Sequence, residues 1–151
     1  MIQSPSKALA ALAAVAGLSI AGVAGEADAH HAFAAEFDGK APVLLRGKVT
    51  RVEWINPHAW VHLANVNKDG TTTAWMVEGG TPNTLLRSGI DRNSLKPGTE
   101  IIVRGYQSKD KLCRPACKAN GRDVTFPDGR KLFMGSSGTG APRDGADASE
   151  R

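Results

Sequence analysis

The stretch Thr71-Thr72-Thr73-Ala74-Trp75-Met76-Val77-Glu78-Gly79-Gly80-Thr81-Pro82-Asn83-Thr84-Leu85-Leu86-Arg87-Ser88-Gly89 passes from strand to helix without a linker. Its first eight residues carry β-formers around Trp75 and Val77. Gly79-Gly80 breaks that pattern. Thr81 then supplies a capping hydroxyl, Pro82 suits a first helical turn, and Gly89 suits a helix end. Leu85 and Leu86 are expected to pack inward. The reading is a strand, Thr71 to Glu78, followed by one short helix.

Outward from this junction the chain reads as strands. Val43-Leu44-Leu45-Arg46-Gly47-Lys48-Val49-Thr50-Arg51-Val52-Glu53-Trp54 has no helical period and is expected to be one long strand, with a bend or bulge at Gly47. Asn56-Pro57 signals a turn. His58 to Val66 alternates, with Val61 and Leu63 on one face and His58, Trp60 and His62 on the other. Asn67-Lys68-Asp69-Gly70 is a hairpin turn. After the helix come a fourth strand, Thr99 to Gln107, a loop bearing Cys113 and Cys117, a fifth strand, Arg122 to Phe126, and a short strand, Arg130 to Met134. Three strands, one helix, then further strands is the order of an all-β, small five-stranded OB-fold-like barrel. A β-sandwich fits less well, because the helix falls where the OB-fold places its own.

The domain plan follows from composition. The chain has 151 residues, 41% hydrophobic, 23% charged and 5% aromatic, with formal net charge +4, which suits one globular domain. Residues 1–29 join Lys7, an Ala/Leu/Val/Gly run from Ala8 to Gly25, and Ala27-Asp28-Ala29, the pattern of a secretory signal peptide. A retained membrane anchor is the alternative, but the run is of marginal length. Cutting after Ala29 removes Lys7, Glu26 and Asp28 and leaves 122 residues with net charge +5. That charge alone calls for no polyanion. Residues 30–42 read as an N-terminal segment with Phe33 and Phe37 as anchors, 43–134 as the barrel, and 135–151 as a disordered tail. A periplasmic or secreted location follows, with no stable membrane span once the signal is removed.

Four histidines offer metal chemistry. His30 would be the new N-terminus, so its amine and imidazole can chelate one ion, with His31 or His58 supplying another nitrogen. Tetragonal nitrogen sets favour Cu(II), and the amine must be deprotonated, so uptake weakens as pH falls. His62 and Met76 are outer candidates. The plainer alternative makes these solvated or turn-capping histidines. Placed on one strand, His58 and His62 would stand roughly 13 Å apart, at about 3.3 Å per residue.

Cys113-Arg114-Pro115-Ala116-Cys117 reads in an exported chain as a disulfide, and alternatively as a redox or soft-metal pair. Trp54, Trp60 and Trp75 offer an aromatic ligand or interaction face, with Trp54 and Trp75 equally suited to the core. Such a face beside Arg46, Lys48, Arg51 and Arg104 invites nucleic acid on an OB-fold, which export argues against. No nucleophile elbow, zinc-protease helix or P-loop motif is present.

The runs His30-His31-Ala32-Phe33-Ala34-Ala35-Glu36-Phe37-Asp38 and Val52-Glu53-Trp54-Ile55-Asn56-Pro57-His58 resemble a family of small exported bacterial proteins, domain-of-unknown-function family 6152. Gly80-Thr81-Pro82-Asn83-Thr84-Leu85-Leu86-Arg87, Ser94-Leu95-Lys96-Pro97-Gly98 and Asp128-Gly129-Arg130-Lys131-Leu132-Phe133 add to the resemblance. It implies a secreted small β-domain without an established activity. The cysteine pair departs from the family pattern. The sequence thus predicts a non-enzymatic exported module binding a small ligand or a metal, copper by its donors. The alternatives are a protein- or glycan-interaction module of an envelope complex and an oxidoreductase built on the cysteines.

Overall fold

The computed structural model describes residues 33–135. The segments expected as a signal peptide and, beyond Gly135, as a tail lie outside these residues, as do His30 and His31. After a helical turn at 33–36 come β1 (Phe37–Glu53), β2 (Trp60–Val66), β3 (Thr72–Glu78), α1 (Pro82–Arg87), β4 (Glu100–Ser108), β5 (Cys117–Thr125) and β6 (Lys131–Phe133). The class is all-β, with α1 between the third and fourth strands as expected. The strands form one sheet in the order β3-β2-β1-β4-β5-β6, and a further parallel pairing of β3 with β5 closes five of them into a ring. One edge of β5 is bonded to β4, while its other edge is shared by β3 and β6.

Alternation fills the inside of that ring. Leu45 and Val49 from β1, Val61 and Leu63 from β2, Trp75 and Val77 from β3, Ile101 and Val103 from β4 and Val124 from β5 are all buried in one cluster. α1 closes one side of it. Thr81 Oγ1 accepts from Thr84 N at 3.1 Å, Pro82 opens the first turn, and Gly89, at φ +84°, follows the last. A helix this short buries one side only, so Leu85 is buried but Leu86 is 53% exposed, contrary to the expectation that both turn inward.

β1 is longer than its sequence suggested, running from Phe37 because it pairs with β4 there (Phe37 with Ser108) before a register shift ahead of Pro42. Gly47 is not the bulge. The β1–β2 register shifts between Val49 and Arg51, and Gly47 is needed for close approach, since a Cβ there would lie 1.8 Å from the Ala64 carbonyl oxygen. β5 begins five residues earlier than expected, at Cys117. Its Lys118-Ala119-Asn120-Gly121 run lacks β-branched residues, and a Cβ at Gly121 would crowd Val77 and Met134 at 2.8 Å. Crowding, not propensity, chose that residue. Gly135, placed in the tail by composition, is buried against the fold.

Cys113 and Cys117 are joined by a disulfide, tying the β4–β5 connection to the start of β5. So small a ring restrains the unfolded chain little, by about 2 kcal/mol at most. The Cys113→Ser, Cys117→Ser double variant should therefore stay folded with a Tm lower by several degrees, as read by circular dichroism. A pair that cycles under mild reductant at neutral pH would instead favour the redox reading.

Candidate functional site

The outer face of the ring carries a row of residues fixed by register. Glu53 on β1 pairs with Trp60 on β2, Trp60 with Glu78 on β3, Glu78 with Asn120 on β5, and Asn120 with Tyr106 on β4. Cross-strand partners share a face, so these side chains stand side by side. The next row, two residues along, is Arg51, His62, Met76 and Lys118.

His58 reaches this face by a route that strand alternation did not suggest. β2 starts at Trp60, so His58 belongs to the turn that follows Asn56-Pro57, and the expected spacing of His58 and His62 along one strand does not apply. The turn delivers its imidazole to Glu78, with Nδ1 at 2.9 Å from Oε1. The same oxygen accepts from Asn120 Nδ2 at 3.1 Å. An oxygen already accepting an amide proton accepts the imidazole proton as well, so His58 is read as the Nδ1–H tautomer with its lone pair on Nε2.

Glu78 and Asn120 are both buried, at 7% and 3% exposure. Burial pushes the Glu78 carboxyl above its ordinary pKa, with the Glu36 charge adding to the rise, against the lowering by the charge and hydrogen bond of His58 and the hydrogen bond of Asn120. Asn120 Oδ1 is buried without a hydrogen-bond partner among the described residues. Such an orphan costs about 1–3 kcal/mol, which is the expense of aiming the amide nitrogen at Glu78.

The N-terminal segment is docked beside this group. Phe33 and Phe37 are buried with Tyr106, Phe33 meeting the Tyr106 ring edge-on at 5.7 Å between centroids. Lys109 donates from Nζ to the Ala34 carbonyl and from its backbone nitrogen to that of Glu36 at 2.9 Å. Glu36 lies 3.9 Å from Lys118 Nζ, a loose pair.

His62 is engaged differently. Its Nε2 lies 2.8 Å from Glu53 Oε1, and Arg51 Nη2 lies 2.8 Å from that same oxygen. Arg51 Nη2 also lies 3.0 Å from Nε2 and 3.5 Å from Nδ1, so the guanidinium crowds both nitrogens of the His62 ring. His62 and its β3 partner Met76 stand in the row next to that of Trp60 and Glu78. Among the described residues no three His, Cys, Asp or Glu side chains gather as a metal site, and both cysteines are in the disulfide.

The three tryptophans do not share one face. Trp75 points into the core opposite Leu63, and Trp54, beyond the end of β1, packs at the core edge with the Arg92 guanidinium 5.5 Å from its ring centroid. Trp60 is the one that the β2 alternation places outward, between Glu53 and Glu78. Sequence reasoning found nothing to mark Glu53 or Glu78 as tuned acids and did not single out Asn120. Glu53 and Glu78 sit at strand ends where only register reveals a partner, and Asn120 lay in a segment read as loop.

The raised Glu78 pKa has a consequence for stability. A carboxyl that holds its proton more tightly when folded contributes stability below its unfolded pKa and loses it as pH rises through the folded value. Glu78→Gln, which keeps an acceptor for His58 and Asn120, should therefore raise Tm by a few degrees at pH 7–8 and change it little at pH 4. An equal shift at both pH values would assign the effect to packing.

No helix among the described residues is long and apolar enough to cross a membrane. No curated protein and no solved structure matches the chain. A family model does match residues 16–114, which span β1 to β4 and stop before Cys117 and the 128–133 segment. The chain accordingly belongs to the family of unknown function DUF6152.

Proposed function

We propose that this protein is an exported, non-enzymatic module that holds a copper(II) ion between His58 and the N-terminal histidines His30 and His31. The observation that carries the reading is the 2.9 Å contact from His58 Nδ1 to Glu78 Oε1. Metal-binding imidazoles commonly donate the remote ring N–H to a carboxylate, which fixes the ring and raises the basicity of the other nitrogen. His58 has that arrangement, with a buried acid held in turn by Asn120.

One imidazole does not make a tight site, and the histidines two and three positions before Phe33 in the sequence are the candidates for the rest. Phe33 is anchored on Tyr106, the register neighbour of Asn120, which bonds Glu78. A free amine and imidazole at His30 would add two nitrogens to His58 Nε2, and nitrogen sets of this kind favour Cu(II) over other first-row divalent ions.

The test is mass spectrometry of the exported chain, followed by Cu(II) titration of that mature form at neutral pH. The expected result is a chain beginning at His30 that binds one equivalent with submicromolar Kd. A mature terminus beyond His30, or copper left unbound at micromolar concentration, overturns the reading.

The exposed side of Trp60 favours a second reading, a docking face for an envelope protein or glycan. On that reading a partner is captured in the presence of a chelator, and capture is lost in Trp60→Ala but kept in His58→Ala.

A further inference from the structure

A cavity of about 500 Å³ lies elsewhere on the ring, beside β1 where it runs between β2 and β4. Gly47 and Ala64 lie in its lining, where β1 runs close against β2. It lies about 13 Å along the β1–β2 pair from the Trp60 row, counting four positions from Ala64 to Trp60 at about 3.3 Å each. It is thus independent of the copper reading and stands or falls separately.

The lining combines an apolar floor with an uneven charge. Val66 contributes a large apolar side chain left 57% exposed, and Ile102 and Phe126 continue the surface. Arg46, Lys48 and Glu100 are its charged lining residues. Glu100 is matched by Lys48, whose Nζ is 3.5 Å from its carboxylate, a pair with both side chains more than 60% exposed. The Arg46 guanidinium is left as the excess cation. Its backbone is held, since Arg46 N donates to Asn65 Oδ1 at 2.8 Å and the residue pairs with Ile102 on β4.

We infer that this cavity is a binding site for an amphiphilic monoanion, a carboxylate with a hydrocarbon tail of medium length. The volume falls within the roughly 300–1,000 Å³ typical of small-molecule sites. The guanidinium offers a planar fork that meets a carboxylate through two parallel hydrogen bonds, and the tail removes Val66 and Ile102 from water. A neutral apolar molecule leaves the cation unmatched. A cationic one is repelled by it. A small inorganic anion leaves the apolar floor exposed.

The experiment titrates decanoate, below its micelle concentration, into the ¹⁵N-labelled mature chain, with acetate and decyltrimethylammonium as comparators. Saturable shifts at the amides of Arg46, Val66 and Ile102 are expected with decanoate alone. Arg46→Gln should weaken decanoate at least tenfold, and Val66→Ser severalfold, with Tm unchanged in both. Decanoate affinity unaltered by Arg46→Gln, equal binding of the quaternary amine, or no saturation at millimolar decanoate would each refute the assignment.

Discussion

In a chain beginning at His30, His58→Ala should weaken Cu(II) binding by about 100-fold or more, some 2.8 kcal/mol at about 1.4 kcal/mol per decade. The change removes the one donor nitrogen that the described fold itself holds in position. Glu78→Gln provides the graded companion, because it retains an acceptor for Nδ1–H but takes away the charge that strengthens the ligand. Losses from such outer partners run about 10–100-fold. Two observations separate ligation from a folding defect. His58→Ala leaves Glu78 buried with Asn120 alone, so its Tm should fall at neutral pH and recover in the His58→Ala, Glu78→Gln double variant. Copper affinity should not recover with it. An affinity that returns with Tm would mean that His58 serves only to neutralise a buried acid. Isothermal titration and thermal melts on the same four proteins decide the matter.

Gly47→Ala should cost above about 4 kcal/mol of stability, since Gly47 makes the tightest approach of the described glycines. The added Cβ would fall 1.8 Å from the Ala64 carbonyl oxygen and 2.7 Å from its carbonyl carbon. Both obstacles are backbone atoms of β2, whose pairing holds His62 and Ala64 in register, so no side-chain rotation relieves the clash. Strands β1 and β2 must part or the chain must unfold. Gly105→Ala meets the same fate against Asn120 O at 2.1 Å. Gly70→Ala is the control, with open space around its Cβ and only its φ of +82° to penalise it, at about 1–2 kcal/mol. A Gly47→Ala protein melting within a few degrees of the parent would show that β1 runs farther from β2 than the Ala64 contact requires.

These two outcomes bear on different levels of the molecule, and the levels were unequally legible. β2, β3 and α1 could be read from local chemistry because alternation, an Asp-Gly turn, a Thr cap and a Pro at the first helical position act within a few residues of one another. β5 could not, since its strand state rests on β3 and β4 on either side and its glycine is chosen by Val77 and Met134. The histidine turn was visible as Asn-Pro-His. That it points at Glu78, twenty residues on, was not, because the pairing of Trp60 with Glu78 comes from hairpin register.

The chain by itself determined the all-β class, the position of the one short helix and the likeness to its family, since each rests on the order of residues along a line. Tertiary structure decided which tryptophan looks outward, which histidine keeps a nitrogen clear of a guanidinium, and where a buried acid waits for an imidazole. Those outcomes depend on closure of the ring. Only when β3 meets β5 do Glu78 and Asn120 become neighbours, and a separation of 42 residues leaves no local trace for a reader of the sequence to follow.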